Sequence, residues 1–519
     1  MPVAVLIDTI SIQNYIFGSN KLKENIGGSF VIEKLVYKQM VPKGLREAQV
    51  VESIDLSHWE KAPDEYRLKK HPDEKVEIGY IGGGNALMIF RDQNDAKAFI
   101  KSYSQLILTH FPGIKLAFGF HNGFEYQEEE EDYKGFRREL HKSLIHNRNF
   151  STVEVLPFKH GIVEDCPWTN EAQEIQYREG STVRDISKSA WSRLSYVKDA
   201  QHDLKKKFSE QIGDRFTFTD DLGKFGQPDD KGYIAIVHAD GNGMGQRFIE
   251  CKSLAETRKL SAAVANYADE VMQKLIEYTA NDLFGKEGKL DASEGWELDR
   301  DEGDGKEILP IRPLILGGDD ITFVCEGRLG VPLAEKLLEY MAVTPINGEY
   351  ISACAGIAIV GTKYPFYKAY QLSEELIKRA KKASRKHKDS SWLDYMISTG
   401  GFSGSLENII KDQFTVAGNK MLKNGPYRID GDAPNIKTLL KGMKHFQKGT
   451  GGNEKWPRNK IKDLRDALRR DEAYQAYFLT EIRARGLKLP GEENELWENG
   501  ETPFYDMIEL LDFYPEKLL

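Results

Sequence analysis

Two adjacent aspartates at a glycine turn are the residues of this chain whose types and spacing are best suited to chemistry. Gly317, Gly318, Asp319 and Asp320 sit at the centre of IRPLILGGDDITFVCEG, an apolar segment that reads as a β-hairpin with its turn at the glycines. A third carboxylate, Asp240, follows the apolar run that begins at Tyr233. If the two strands are neighbours, these three side chains converge as hard oxygen donors within reach of one or two Mg²⁺ or Mn²⁺ ions. Two such ions can activate a ribose 3′-hydroxyl and stabilise a departing pyrophosphate. The competing reading is a plain turn, because Gly and Asp are favoured turn residues.

Further contacts for a nucleotide stand nearby in sequence. Gly317 and Gly318 let a triphosphate approach the backbone, and Asn242 and Gly243 follow Asp240 directly. The stretch SEELIKRAKKASR, residues 373–385, begins a helix after the last strand of this half and carries Lys378, Lys381, Lys382 and Arg385. Cations there would hold the β- and γ-phosphates of a bound triphosphate. A solvated basic face is the alternative.

The elements that must position these groups recur. Near the N-terminus an apolar run ends in Asp8, a helical pattern follows, and VEIGYIGGGNALMIF forms a second glycine-centred hairpin containing Gly83 and Gly84. The distance from Asp8 to Gly83 is nearly that from Asp240 to Gly318. Each hairpin is followed by a helix, expected over residues 95–108 and 331–342, and by another strand. The order β, α, β-hairpin, α, β predicts an α+β fold with two palm-like, ferredoxin-type domains, each an antiparallel sheet with helices on one face. The first half has Gly82-Gly83-Gly84-Asn85 where the second has GGDD, so the first palm is expected to be noncatalytic, with Asp8 a structural or substrate contact.

These boundaries divide the chain into a first palm over 1–160, a partly helical connector over 161–230, a second palm over 231–400 and a C-terminal helical domain over 401–519. The connector has a Lys-rich stretch over 199–207 and a Gly/Pro/Asp-rich linker ending near Lys231. An acidic insertion over 285–307 reads as a long loop. At 519 residues, several domains are expected. Hydrophobic residues at 40% and charged residues at 29% exclude a largely disordered chain. No run is apolar enough for a membrane span and no signal peptide stands at the N-terminus, which predicts a cytoplasmic protein. The four cysteines form no C-x-x-C pair and read as packing residues. A net charge of −9 argues against a nonspecific nucleic-acid coat.

Taken in order, these motifs resemble the large polymerase/cyclase subunit of type III CRISPR effector complexes. IDTISIQNYIFGSNKLKENIGGS is similar to that family's opening strand and helix, YIGGGNALMIF to its first-palm hairpin, and AIVHADGNGMG, LILGGDDITFV and KYPFYKAYQLSEELIKRAKKASR to its second palm. The last segment is also similar to the AK-x-x-x-R helix of GGDEF-type nucleotide cyclases, matched here by Ala380, Lys381 and Arg385. The resemblance implies Asp240, Asp319 and Asp320 as metal ligands, Lys381 as a phosphate contact, and ATP as the substrate of a cyclic oligonucleotide synthase in antiviral defence. It also implies partners: a nucleoside triphosphate, other CRISPR effector subunits, and guide or target RNA. The chain departs from the pattern at Asn242, where the family often has Asp, and is expected to lack the N-terminal HD nuclease domain and the cysteine-rich zinc module, its one HD dipeptide being His202-Asp203 in a Lys-rich helical stretch. A template-directed polymerase and a noncatalytic, nucleotide-sensing scaffold are the rival functions.

Overall fold

The computed structural model describes residues 1–126, 130–151, 161, 163–225, 232–387, 390–398, 400, 404–431, 434–449, 455–492 and 495–519. The near-continuous apolar run at the N-terminus is a strand buried on both faces, β1 (Val3–Ile10). Val3, Val5 and Ile7 enter one core, while Ala4 and Leu6 enter another. After β1 come helix α1 (Ile12–Phe17), the hairpin of β2 (Val76–Gly82) and β3 (Asn85–Phe90), helix α2 (Gln93–His110), strand β4 (Lys115–Asn122) and helix α3 (Glu130–Ser151). The first sheet has the order β2-β3-β1-β4.

The second half repeats this plan with β5 (Tyr233–Gly241), α4 (Leu254–Glu277), the hairpin of β6 (Ile311–Gly317) and β7 (Asp320–Glu326), α5 (Gly330–Val343), β8 (Ala353–Gly361) and α6 (Phe366–Lys386). Its sheet has the matching order β6-β7-β5-β8 and then two more strands, β9 (Trp392–Ser398) and β10 (Tyr427–Arg428). The duplication extends to detail. Both hairpins carry a bulge at the same place, Ile78/Tyr80 and Pro313/Ile315, and both close on a two-residue turn. The protein is an α+β palm fold.

Two features extend the repeated order. Strand β9 runs parallel to β8, so α6 is the crossover that a parallel pair requires. Strand β10 comes from the C-terminal region and pairs with β9. That region is therefore not a separate helical unit: Phe446, Trp456, Phe478 and Phe504 share one continuous core with the second sheet. Lys423 closes the joint, buried with Asp506 at 3.0 Å and Glu509 at 3.2 Å. The linker expected to end near Lys231 and the boundary expected at Gly401 fall outside the described residues.

The acidic insertion is fixed in place rather than left as an open loop. Glu307–Ile308 pairs with Phe216–Thr217, and ion pairs join Asp304 to Lys205 at 3.3 Å and Asp291 to Lys517 at 2.8 Å. The two palms are also bolted together. Arg258 of α4, fully buried, lies 2.5 Å from Glu77 of β2 and donates to the carbonyls of Gly79, Ile78, Pro63 and Glu65. Removing one member of such a buried pair costs about 3–5 kcal/mol, because the partner is left charged and unmatched. Among the described residues no helix is long and apolar enough to cross a membrane.

Candidate active site

Pairing of β5 with β7 sets Asp240 directly opposite Asp320. Side chains so placed are about 5 Å apart at Cβ. Asp319 occupies the second turn position, and its carbonyl accepts from Gly241 N at 3.3 Å. Gly318 precedes it with φ of +86°, where a Cβ would stand 2.8 Å from Val264 of α4, so the turn requires glycine on both grounds. The three carboxylates thus come together as the spacing implies. Burial, then the charges of Asp240 and Asp320, push the Asp319 carboxyl up to about 7.

One cation answers this excess of negative charge. Lys381 of α6 donates to Asp240 Oδ2. Lys378 and Arg385 lie on the same helical stripe, one turn before and one after. Both are exposed and make no hydrogen bond or ion pair among the described residues. Asn242, by contrast, is turned into its own domain: its amide nitrogen donates to Ser352 Oγ at 2.8 Å and Ser384 Oγ at 3.1 Å. Gly243 has φ of +75° and open space around it.

Two residues that the sequence did not single out also touch the carboxylates. His238 lies two positions before Asp240 on the same face of β5, with Nε2 3.1 Å from Asp320 Oδ1. The contact is electrostatic rather than an aligned hydrogen bond, and neither atom has such a bond among the described residues. Burial pulls the His238 imidazole down, but Asp320, Asp240 and Glu374 outweigh it and the net shift is upward. From the first palm, Gln13 Nε2 of α1 stands 3.5 Å from Asp320 Oδ2. The signal for His238 was its period-2 spacing from Asp240; Gln13 had none, because its approach is made across domains.

The first palm holds a reduced copy of this arrangement. Asp8 is opposite Asn85, as Asp240 is opposite Asp320. Gly119 of β4 lies against Leu140 and Leu144 of α3, and Gly356 of β8 lies against Ser373 and Ile377 of α6. One turn beyond Leu144 and Ile377 stand Arg148 and Lys381. Arg148 is therefore the counterpart of Lys381, and it lies 3.9 Å from Asp8. Gly83 and Gly84 form the turn, with φ of +58° and +78°.

Among the described residues no three His, Cys, Asp or Glu side chains already stand in metal-ligand geometry. The donor set nonetheless fits a hard divalent cation. It offers three crowded carboxylates, one Asp320 oxygen with no hydrogen-bond partner among the described residues, and an ammonium that balances only one of the acids. Cavities of about 550 and 570 Å³ lie elsewhere and do not include these residues. Acids already answer lysines of the first, as in Lys23 with Glu179 at 3.2 Å and Lys205 with Asp304 at 3.3 Å.

Residues 233–391 match the family model of the Cas10/Cmr2 second palm domain. That segment is similar to a Cas10 second palm. The fold extends the likeness over the whole length of the chain: a Csm1–Csm4 cassette in complex with cA3 aligns with a TM-score of 0.55 at 11% identity, covering 100% of this chain and 70% of that one. Complexes of the cassette with AMPPNP (TM-score 0.53, 14% identity, 100% and 70% covered) and with pppApApA (0.52, 12%, 99% and 69%) are similar. No curated protein sequence matches. The matched segment contains Asp240, Asp319, Asp320 and Lys381, while Asp8, Gln13 and Arg148 lie outside it.

Proposed function

We propose that this protein is a metal-dependent nucleotidyl transferase that makes cyclic oligonucleotides from ATP, as a subunit of an RNA-guided antiviral complex. The observation that carries this reading is the placement of Asp319 and Asp320 beside Asp240 under Lys381, which the first palm does not reproduce. ATP as substrate and adenylate rings as product draw on the neighbours, whose cassettes bind AMPPNP, pppApApA and cA3.

In this reading Asp240, Asp319 and Asp320 hold one or two Mg²⁺ or Mn²⁺ ions. A bound cation would lower the proton affinity of a ribose 3′-hydroxyl and neutralise charge on the triphosphate. Lys381 is freed from Asp240 when the carboxylate is otherwise occupied, and its ammonium then binds the β- or γ-phosphate. Lys378 and Arg385, exposed on the same stripe, extend that positive track. Gly317, Gly318 and Gly243 leave the backbone open to the nucleotide. Asn242, whose amide is bound to Ser352 and Ser384, contributes position rather than charge. Gly83 and Gly84 would contact a nucleotide without metal.

The test is incubation of purified protein with each labelled nucleoside triphosphate and Mg²⁺ or Mn²⁺, with products identified by mass spectrometry. ATP-derived, 3′-linked products are expected. Tight nucleotide binding without product under all conditions, target RNA and effector subunits included, would favour the rival: a noncatalytic sensing scaffold. The commitment of Asn242 to its own domain gives that rival its one structural argument.

A further inference from the structure

Asp320 is held from two sides by side chains of different palms. His238 Nε2 approaches Oδ1 at 3.1 Å from within the second palm, and Gln13 Nε2 approaches Oδ2 at 3.5 Å from the first. The two approaches are mechanically joined. The His238 ring stacks on Tyr370 at 5.6 Å and 17°, and Tyr370 stacks on Phe17 at 3.9 Å and 27°. Phe17 and Gln13 belong to the same short helix, α1, so one element of the first palm both supplies Gln13 and backs the ring column that orients His238. Phe17, Tyr370 and His238 are all buried, at 2%, 3% and 5% exposure, which leaves the column no room to swing. At its other end α1 is braced by Ile12, which fills the space beside Gly84 in the first-palm turn.

We infer that α1 of the first palm is a positioning element for Asp320, acting directly through Gln13 and indirectly through the column Phe17, Tyr370 and His238. The first palm thus serves the site of the second even though it lacks a carboxylate pair of its own. The inference rests on the reading of Asp240, Asp319 and Asp320 as a divalent-cation site. Its physical basis is the general behaviour of outer groups around a metal, which orient the ligands and whose loss costs roughly 10- to 100-fold in affinity or activity. Among the described residues the Tyr370 hydroxyl has no hydrogen-bond partner, and Tyr370 meets Phe17 and His238 through its ring faces.

The test measures Mn²⁺ binding to the full chain by electron paramagnetic resonance, in the absence of nucleotide. The site is defined as the binding lost in Asp319→Asn with Asp320→Asn. Gln13→Ala, at a half-buried position, and His238→Phe, which keeps the ring column, are each expected to weaken that binding about tenfold. Phe17→Leu should weaken it as well, whereas Tyr370→Phe should leave it within about twofold, since it keeps the ring. A merely structural role would lower the melting temperature and leave Mn²⁺ affinity alone. If Gln13→Ala and His238→Phe both bind Mn²⁺ like the wild type while the double aspartate variant does not, the inference is overturned and the proposed function stands. If the wild type shows no binding that the double variant removes, the proposed function falls, and this inference with it.

Discussion

The two palms share their strand order, the position of their hairpin bulge and the length of their turn, yet they differ at the few positions where chemistry would sit. Asp8, Arg148, Gly84, Asn85 and Leu6 in the first palm correspond to Asp240, Lys381, Asp319, Asp320 and His238 in the second. One carboxylate paired with one cation is common to both. In the first palm, burial raises Asp8 and Arg148 opposes it; in the second, burial and then the charges of two neighbouring carboxylates raise Asp319. The backbone of the turn differs too. Both central residues of the first, Gly83 and Gly84, have positive φ, whereas in the second only Gly318 does. These are the signatures of two different hairpin turns, and only the second readily accepts a carboxylate at its second position. The comparison teaches that one palm scaffold holds two different sets of side chains at equivalent positions: one turn type and two side chains separate them.

The deepest break should come from removing what the second palm has and the first lacks. Asp319→Asn with Asp320→Asn is expected to lower product formation by about a thousandfold or more, with no loss in melting temperature, because crowded carboxylates repel one another. Activity close to wild type in the mass-spectrometric assay would end the assignment. Next is the same substitution made at the paired positions. Asp240→Asn should approach that loss, while Asp8→Asn should change the rate by less than about threefold, since Asp8 has Arg148 at 3.9 Å but no second carboxylate opposite it. Equal effects would show that the halves are not specialised as described.

A smaller effect is expected at the shared cation. Lys381→Ala should lower catalytic efficiency roughly 10- to 100-fold, the value of one charge-assisted phosphate contact. Lys382→Ala should do much less: its side chain leaves the helix about 100° away and is exposed. Steady-state kinetics of the two variants separate direction from charge, as each loses a single positive charge. The smallest effect belongs to Asn85→Asp, which restores the second acid of the first turn. It should leave activity within about twofold, because Gly84 still supplies no carboxylate. Gly84→Asp is not an equivalent test: a Cβ there meets Ile12 at 1.9 Å and sits at positive φ, so it should lower the melting temperature.

Much of this was legible before the fold was known. Hydrophobic runs of strand length, glycines at turns and an acid at the end of a strand gave the duplicated plan and singled out Asp240, Asp319 and Asp320, because each of these signals is local. Lys381 could be placed on a helix, although helix periodicity alone could not say which of Lys378, Lys381 and Arg385 reaches a carboxylate. Asn242 looked like a site residue from its position beside Asp240; its partners, Ser352 and Ser384, arrive from distant segments.

By itself the sequence determined the repeated order β, α, β-hairpin, α, β, the two glycine turns, and the identity of the acids, since all of these depend on residue type and on neighbours a few positions away. Only the tertiary structure decided that β9 and β10 extend the second sheet, that the C-terminal helices share its core, that Arg258 bolts the palms together, and that Gln13 comes to Asp320. Those contacts join residues dozens to hundreds of positions apart, and they form because buried charges need partners and apolar faces need cover, demands that a linear pattern records without naming what will meet them.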